Sequence, residues 1–188
     1  MGAMTVHYSP AAAASVIAFW FDEVGHDRWF TKDPALDTEI VRRFGPLRDA
    51  LLASEARGWR DTPEPLMAAI LLLDQFSRNI HRGIALAFAA DALARDLAMQ
   101  ALENGWTDAA PLAWRQFLLM PLMHSEALAD QQRCVAEFER LGNDNLTGFA
   151  RRHHDQIAAF GRFPGRNAAL GRRTTPEEQA ALDSGVAF

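Results

Sequence analysis

Leu66-Met67-Ala68-Ala69-Ile70-Leu71-Leu72-Leu73 sets eight apolar residues in a row, behind Thr62-Pro63 and in front of Asp74. Thr-Pro has the chemistry of an N-cap followed by proline at the first helical position, so the run reads as a helix. A helix that is apolar on every face must be covered on every side. It therefore belongs at the centre of a helical assembly, and 188 residues are enough for one sizeable core.

Helix signals recur on both sides of this run, and the alternating pattern of strands is nearly absent. Ser9-Pro10 opens a helix through about Phe21. Asp33-Pro34 opens a second, which Gly45-Pro46 is expected to kink or split before it ends near Gly58. After the Thr62-Pro63 helix and a break at Arg82-Gly83, further helices are expected at about 84–103, from Pro111 to Met120-Pro121, from Ser125 to Leu141 and from Asn145 to Phe160. Thr175-Pro176-Glu177-Glu178 starts a short last one. Short connections favour antiparallel neighbours. Residues 1–188 are read as a single all-α domain of about seven to nine helices, with 1–8 as a flexible leader. Pattern alone fits an irregular bundle or a stack of helical pairs equally well.

The net charge is −5, but Arg151 to Arg173 holds six Arg against Asp155 alone, leaving −10 for the rest. Such a stretch points to an anionic partner or to pairing with acids on other helices. The overall charge disfavours nucleic acid. Cys134 is the only cysteine, so no intrachain disulfide forms, and its helical setting makes it a small core residue. The apolar run Ala11–Phe21 lacks a basic flank and is too short to span a bilayer. A cytoplasmic protein without membrane contact is expected.

Four segments carry polar residues where the periodicity calls for core. Asp74 and Arg78 are spaced to pair on one helix face, with Asn79 beside them. The pair either closes the buried helix or holds Arg78 and Asn79 toward a cleft. His124 and Gln131 share an inward stripe with Leu128, Val135 and Phe138, opposite a solvated ladder of Glu126, Asp130, Arg133 and Glu137. His153 lies within the stripe of Leu146, Phe149, Ala150, Ile157 and Phe160, while His154 points about 100° away. Gly161-Arg162-Phe163-Pro164-Gly165-Arg166-Asn167 is an irregular loop in which Arg162, Arg166 and Asn167 suit a carboxylate or phosphate. Neither HExxH nor a cysteine–histidine spacing is present, so no metal or cofactor is expected.

These blocks, together with Phe19-Trp20-Phe21 and Trp29-Phe30, carry a resemblance over nearly the whole chain. It runs through Leu71 to Asn79, Met120 to Glu126, Gly161 to Asn167 and on to Thr175-Pro176-Glu177-Glu178. The sequence resembles the bacterial domain of unknown function family 924. The resemblance implies an all-helical fold, an irregular right-handed stack of antiparallel pairs that is tetratricopeptide-like, and implies no activity. Two positions depart from the family pattern: Ser77 stands where proline is usual before Arg-Asn, and Gly165 where histidine is usual. A mechanism that needs that imidazole does not apply to this chain.

Three functional readings follow. In the first, Arg78, Asn79, Gln131, Arg162, Arg166 and Asn167 bind a small anionic molecule or a peptide carboxylate. In the second, a hydrolase or transferase acts on a phosphorylated or carboxylate metabolite, with His124 or His153 as acid/base, Asp74 or Asp155 orienting it and the arginines stabilising charge. The third is a purely structural or interaction protein whose polar residues pair internally.

Overall fold

The computed structural model describes residues 9–187, so the expectation for residues 1–8 lies outside the described part. Among the described residues the chain is helical with no strand. α1 (Pro10–Ala18) is capped by Ser9, whose hydroxyl accepts from the Ala12 amide at 3.0 Å, and it continues into a π-helical turn, Phe19–Val24. α2 (Pro34–Ala53) is capped by Asp33. α3 (Pro63–Ile70) passes through a second π-helical turn, Leu71–Phe76, into α4 (Ser77–Ile80). A 3-10 turn, Ala85–Phe88, leads to α5 (Asp91–Glu103) and the short α6 (Trp106–Ala109). α7 (Leu112–Met123), α8 (Leu128–Arg140) and α9 (Asp144–Phe160) follow, then a 3-10 turn at Pro164–Arg166 and α10 (Pro176–Asp183). With α3 and α4 taken as one rod, this is nine helices among the described residues.

The rod from α3 to α4 is central, as its composition demands. Pro65 through Ser77 are all buried, and the rod packs against α1, α2, α5 and α7. Phe19, Trp20, Phe44 and Phe76 form an aromatic cluster where the two π-helical turns meet α2. Sequence neighbours α7, α8 and α9 pack successively on one another, an order consistent with stacked antiparallel pairs. No helix among the described residues is long and apolar enough to cross a membrane.

Several local expectations are corrected. α2 is unbroken at Pro46, which sits on the exposed face with Arg42, so water can reach the carbonyl that loses its amide partner. α2 nevertheless stops at Ala53, short of Gly58, because Glu55 and Ala56 turn into the left-handed region with φ of 53° and 56°. Ala56 is fully buried there, and packing offsets the strain. α7 runs past Pro121 to Met123, and the segment 84–103 divides into the 3-10 turn and α5. Leu128 and Phe149, assigned to buried stripes, are exposed. Asp130 and Glu137, assigned to a solvated ladder, are buried, the first holding Arg95 and the second Arg133 and Arg140. Glu126 is drawn under the chain after α9, where Arg172 donates to both its oxygens.

Candidate functional site

Asp74 lies in the π-helical turn of the central rod and is 1% exposed. An ionised carboxylate in such a place needs partners on every side. It has three. Gln75 Nε2 donates to Oδ2 at 2.6 Å, His124 Nδ1 donates to Oδ1 at 2.7 Å, and the Arg78 guanidinium lies 3.2 Å from Oδ1. Burial alone raises the Asp74 carboxyl, but Arg78 and then His124 outweigh it and hold the group well below the usual carboxylate range. Arg78 also donates to the Asp74 carbonyl, and its fork closes on both oxygens of Asp91 at 3.1 Å each. Asp91 opens α5, where a negative charge also complements the helix dipole.

Arg166 arrives from the loop after α9. It donates to Asp91 at 3.2 Å and to the His124 carbonyl at 2.8 Å, with its guanidinium over the rings of Phe88 and Phe163. The arginine-rich loop thus meets the central rod, with Asp91 as the shared acid. Burial and the nearby Arg78 push Arg166 down to about 10, so it remains a cation at neutral pH.

A cavity of about 400 Å³ opens beside this cluster. Arg78, Asn79, His124 and His153 all line it, and Asp74 stands directly behind His124. The His124 and His153 rings are 6.1 Å apart. Because Asp74 can only accept, Nδ1 of His124 carries the hydrogen. Nε2, on the other edge of the ring, has no protein partner among the described residues. Burial and then Arg78 outweigh the pull of Asp74 and keep this imidazole below its ordinary value, hence neutral at pH 7. A neutral imidazole with one nitrogen fixed by a carboxylate and the other unprotonated is a competent general base.

His153 donates from Nδ1 to the Phe149 carbonyl at 2.8 Å, and burial, with His124 beside it, pushes it down to about 4. A histidine depressed in the folded state takes up protons more readily when unfolded. Its contribution to stability is therefore complete above the ordinary value of about 6.5 and is lost as pH falls from there toward about 4. His153→Gln is expected to flatten the loss of stability across that window, measured by urea unfolding at a series of pH values.

The other residues singled out in the sequence lie elsewhere. Gln131 is buried on α8 and donates to the carbonyls of Met123 and Ser125, closing the end of α7. Arg162 clasps Glu178 with two nitrogens, and Asn167 donates to the same carboxylate. These two fasten α10 to the loop and do not line the cavity. Within the basic stretch, Arg151, Arg162, Arg166 and Arg172 are all engaged by acids of other segments. Ser77 is fully buried and accepts from Arg48 Nε at 2.9 Å, so the departure from proline is used to hold a buried arginine. Gly165 is exposed.

Apart from Phe138, which the inward stripe of α8 had marked, much of the cavity wall had no flag in the periodicity. Trp29, Phe30 and Lys32 come from the connection before α2, Arg82 follows α4, and Gln116 and Phe138 come from α7 and α8. Phe30, at 63% exposed, is the clearest readable signal: an aromatic pair beside a lysine in a connecting loop. Arg82 and Asn79 both donate to Asp37 of α2.

No curated protein matches the chain. A solved structure of a protein of unknown function from Agrobacterium tumefaciens, ATU0120, is 40% identical, with a TM-score of 0.88 over 93% of this chain and 98% of that one. The family model described as bacterial protein of unknown function (DUF924) matches residues 16–186. With nearly the whole chain matched, the protein belongs to the DUF924 family.

Proposed function

We propose that the protein binds a small anionic molecule with an apolar body in the cavity beside Asp74 and His124, on a tetratricopeptide-like scaffold in the cytoplasm. The observation that supports this reading is the composition of the wall. Among the described residues Lys32, Arg78 and Arg82 line it and no carboxylate side chain does, while Trp29, Phe30, Phe138 and Phe149 supply aromatic surface. The acids that balance the arginines, Asp74, Asp91 and Asp37, are not part of the lining. A cavity of this kind favours a carboxylate on an apolar body, such as a peptide C-terminus or an aromatic acid, over inorganic phosphate.

Trp29 lies in the wall, so its fluorescence reports occupancy. Titration with aromatic and aliphatic carboxylates is expected to change the emission and raise the melting temperature, and the matching neutral amides are expected to bind more weakly. Lys32 is exposed and makes no ion pair among the described residues. Lys32→Met is therefore expected to weaken carboxylate binding about tenfold at low salt without loss of stability, and less when salt screens the charge. Equal affinity for acid and amide, or no response to either, contradicts the proposal.

A further inference from the structure

We infer that the cavity also hydrolyses an acyl ester that joins an anionic head to an apolar tail, with His124 as the catalytic base. The inference rests on the anion-binding reading and goes beyond it to a reaction.

The composition of the lining and the His124–Asp74 pair carry the inference. Lys32 and Arg82 come from the connection before α2 and from the residues after α4, and Leu146 and Phe149 come from α9. His124 lines the same cavity, with Asp74 of the central rod 2.7 Å from its Nδ1 and the ring of His153 of α9 6.1 Å away between ring centres. A ligand that lays its anion on these cations and its tail on Leu146 and Phe149 shares the cavity with His124, and the proposed ester is the bond that meets Nε2. Thr31 is also in the wall, but its hydroxyl donates to the Arg28 carbonyl, and no serine or cysteine among the described residues lines the cavity. The proposed nucleophile is water.

The step balances with water as the only co-reactant. Nε2 of His124 takes a proton from water as the water oxygen bonds to the acyl carbon, and the carbonyl electron pair moves onto oxygen. Arg78, in the same wall, provides the positive field for that oxyanion. The electron pair returns, the bond from the acyl carbon to the ester oxygen breaks, and the imidazolium gives its proton to the departing oxygen. The products are a carboxylic acid and an alcohol or phenol. An ester fits this site because its leaving oxygen needs only the one proton that His124 carries. Asp74 does not touch the substrate; it is a positioning residue that fixes the tautomer.

The probe is 4-butyryloxybenzoate, which has a carboxylate at one end, a butyryl tail at the other and an ester between. Its ether counterpart, 4-butoxybenzoate, cannot be hydrolysed and measures binding alone. The wild-type protein is expected to speed release of 4-hydroxybenzoate by at least about 100-fold over buffer, and to prefer this ester to phenyl butyrate, which has no anion. The rate is expected to fall on the acid side as His124 becomes protonated. His124→Gln is expected to return the rate to that of buffer while 4-butoxybenzoate still quenches or shifts Trp29 emission. Asp74→Asn is expected to lower kcat and to move the pH profile, which a purely structural role does not do. If 4-butoxybenzoate binds but the ester is cleaved no faster than in buffer, or its cleavage survives His124→Gln, hydrolysis is overturned and the binding reading stands. If His124→Gln fails to fold, a wild-type rate that is flat through the histidine range overturns hydrolysis equally. If neither compound binds, the binding reading falls and hydrolysis falls with it.

Discussion

Asp74→Ala is expected to cost about 3–5 kcal/mol of folding stability, because it leaves a buried cation and a buried imidazole without the acid that compensates them. Arg78 retains Asp91 and Gln75 retains the Met120 sulfur, but His124 Nδ1 loses its acceptor outright. Asp74→Asn keeps an oxygen for His124 Nδ1 and is expected to cost less. Removing Arg78 and Asp74 together, as Asp74→Ala with Arg78→Met, is expected to cost less than the sum of the single changes, since the two compensate one another. Equilibrium urea unfolding at neutral pH measures these variants and the single Arg78→Met that completes the cycle. A cost for Asp74→Ala below about 1 kcal/mol contradicts the account, since that is the range of exposed pairs.

The same cluster orders the response to acid. Asp74 has a depressed folded value, so its stabilisation is present above the unfolded value of about 3.9 and is lost only as pH falls through the still lower folded one. His153 and His124 act earlier, from about pH 6.5 downward, because both are held neutral in the fold. Acidification is therefore expected to weaken the protein in two stages, and Asp74→Asn is expected to remove only the second.

The helices were legible wherever chemistry is local. Ser9, Asp33 and Thr175 each stand before a proline and cap the helix that follows, and at Thr175 the hydroxyl and the Glu178 carboxylate complete a reciprocal capping box. The central position of the Leu66–Leu73 run follows from its having no polar face. The site was half legible. His124 and His153 were placed inward by helical spacing, and Asp74 was marked by the cost of a charge beside an apolar run. Spacing supplied Asp74 as a partner of Arg78 but could not supply the second, Asp91. Asp91 lies beyond a turn and a 3-10 segment, and nothing in its own neighbourhood points back to α4. The π-helical turn hides the rest, because one extra residue per turn rotates every later side chain away from the face that an α-helical period assigns. Glu178 shows the same limit, since its role as an N-terminal acid is local while its grip on Arg162 and Asn167 depends on how the loop folds back.

Phe76 ends that π-helical turn, and the largest loss from a purely apolar change is expected there. Its ring lies 5.8 Å from Phe19, 5.4 Å from Trp20 and 5.2 Å from Phe44, and it is fully buried. Phe76→Ala removes the transfer free energy of the ring and leaves a void among three rigid aromatic neighbours that cannot easily collapse, for a cost of about 3–5 kcal/mol. In a chain of this length that lowers the melting temperature by on the order of 10 °C. Phe76→Leu keeps much of the volume and is expected to lose distinctly less. The consequence reaches the cavity, because Asp74 and Gln75 immediately precede Phe76 in the turn and depend on its packing for their direction. Carboxylate binding by Phe76→Ala is therefore expected to weaken even at temperatures where the variant is fully folded, with Trp29 fluorescence as the readout. Full stability loss with unchanged affinity would show instead that the polar cluster, through Arg78, Asp91 and Arg166, holds the wall without help from the core behind it.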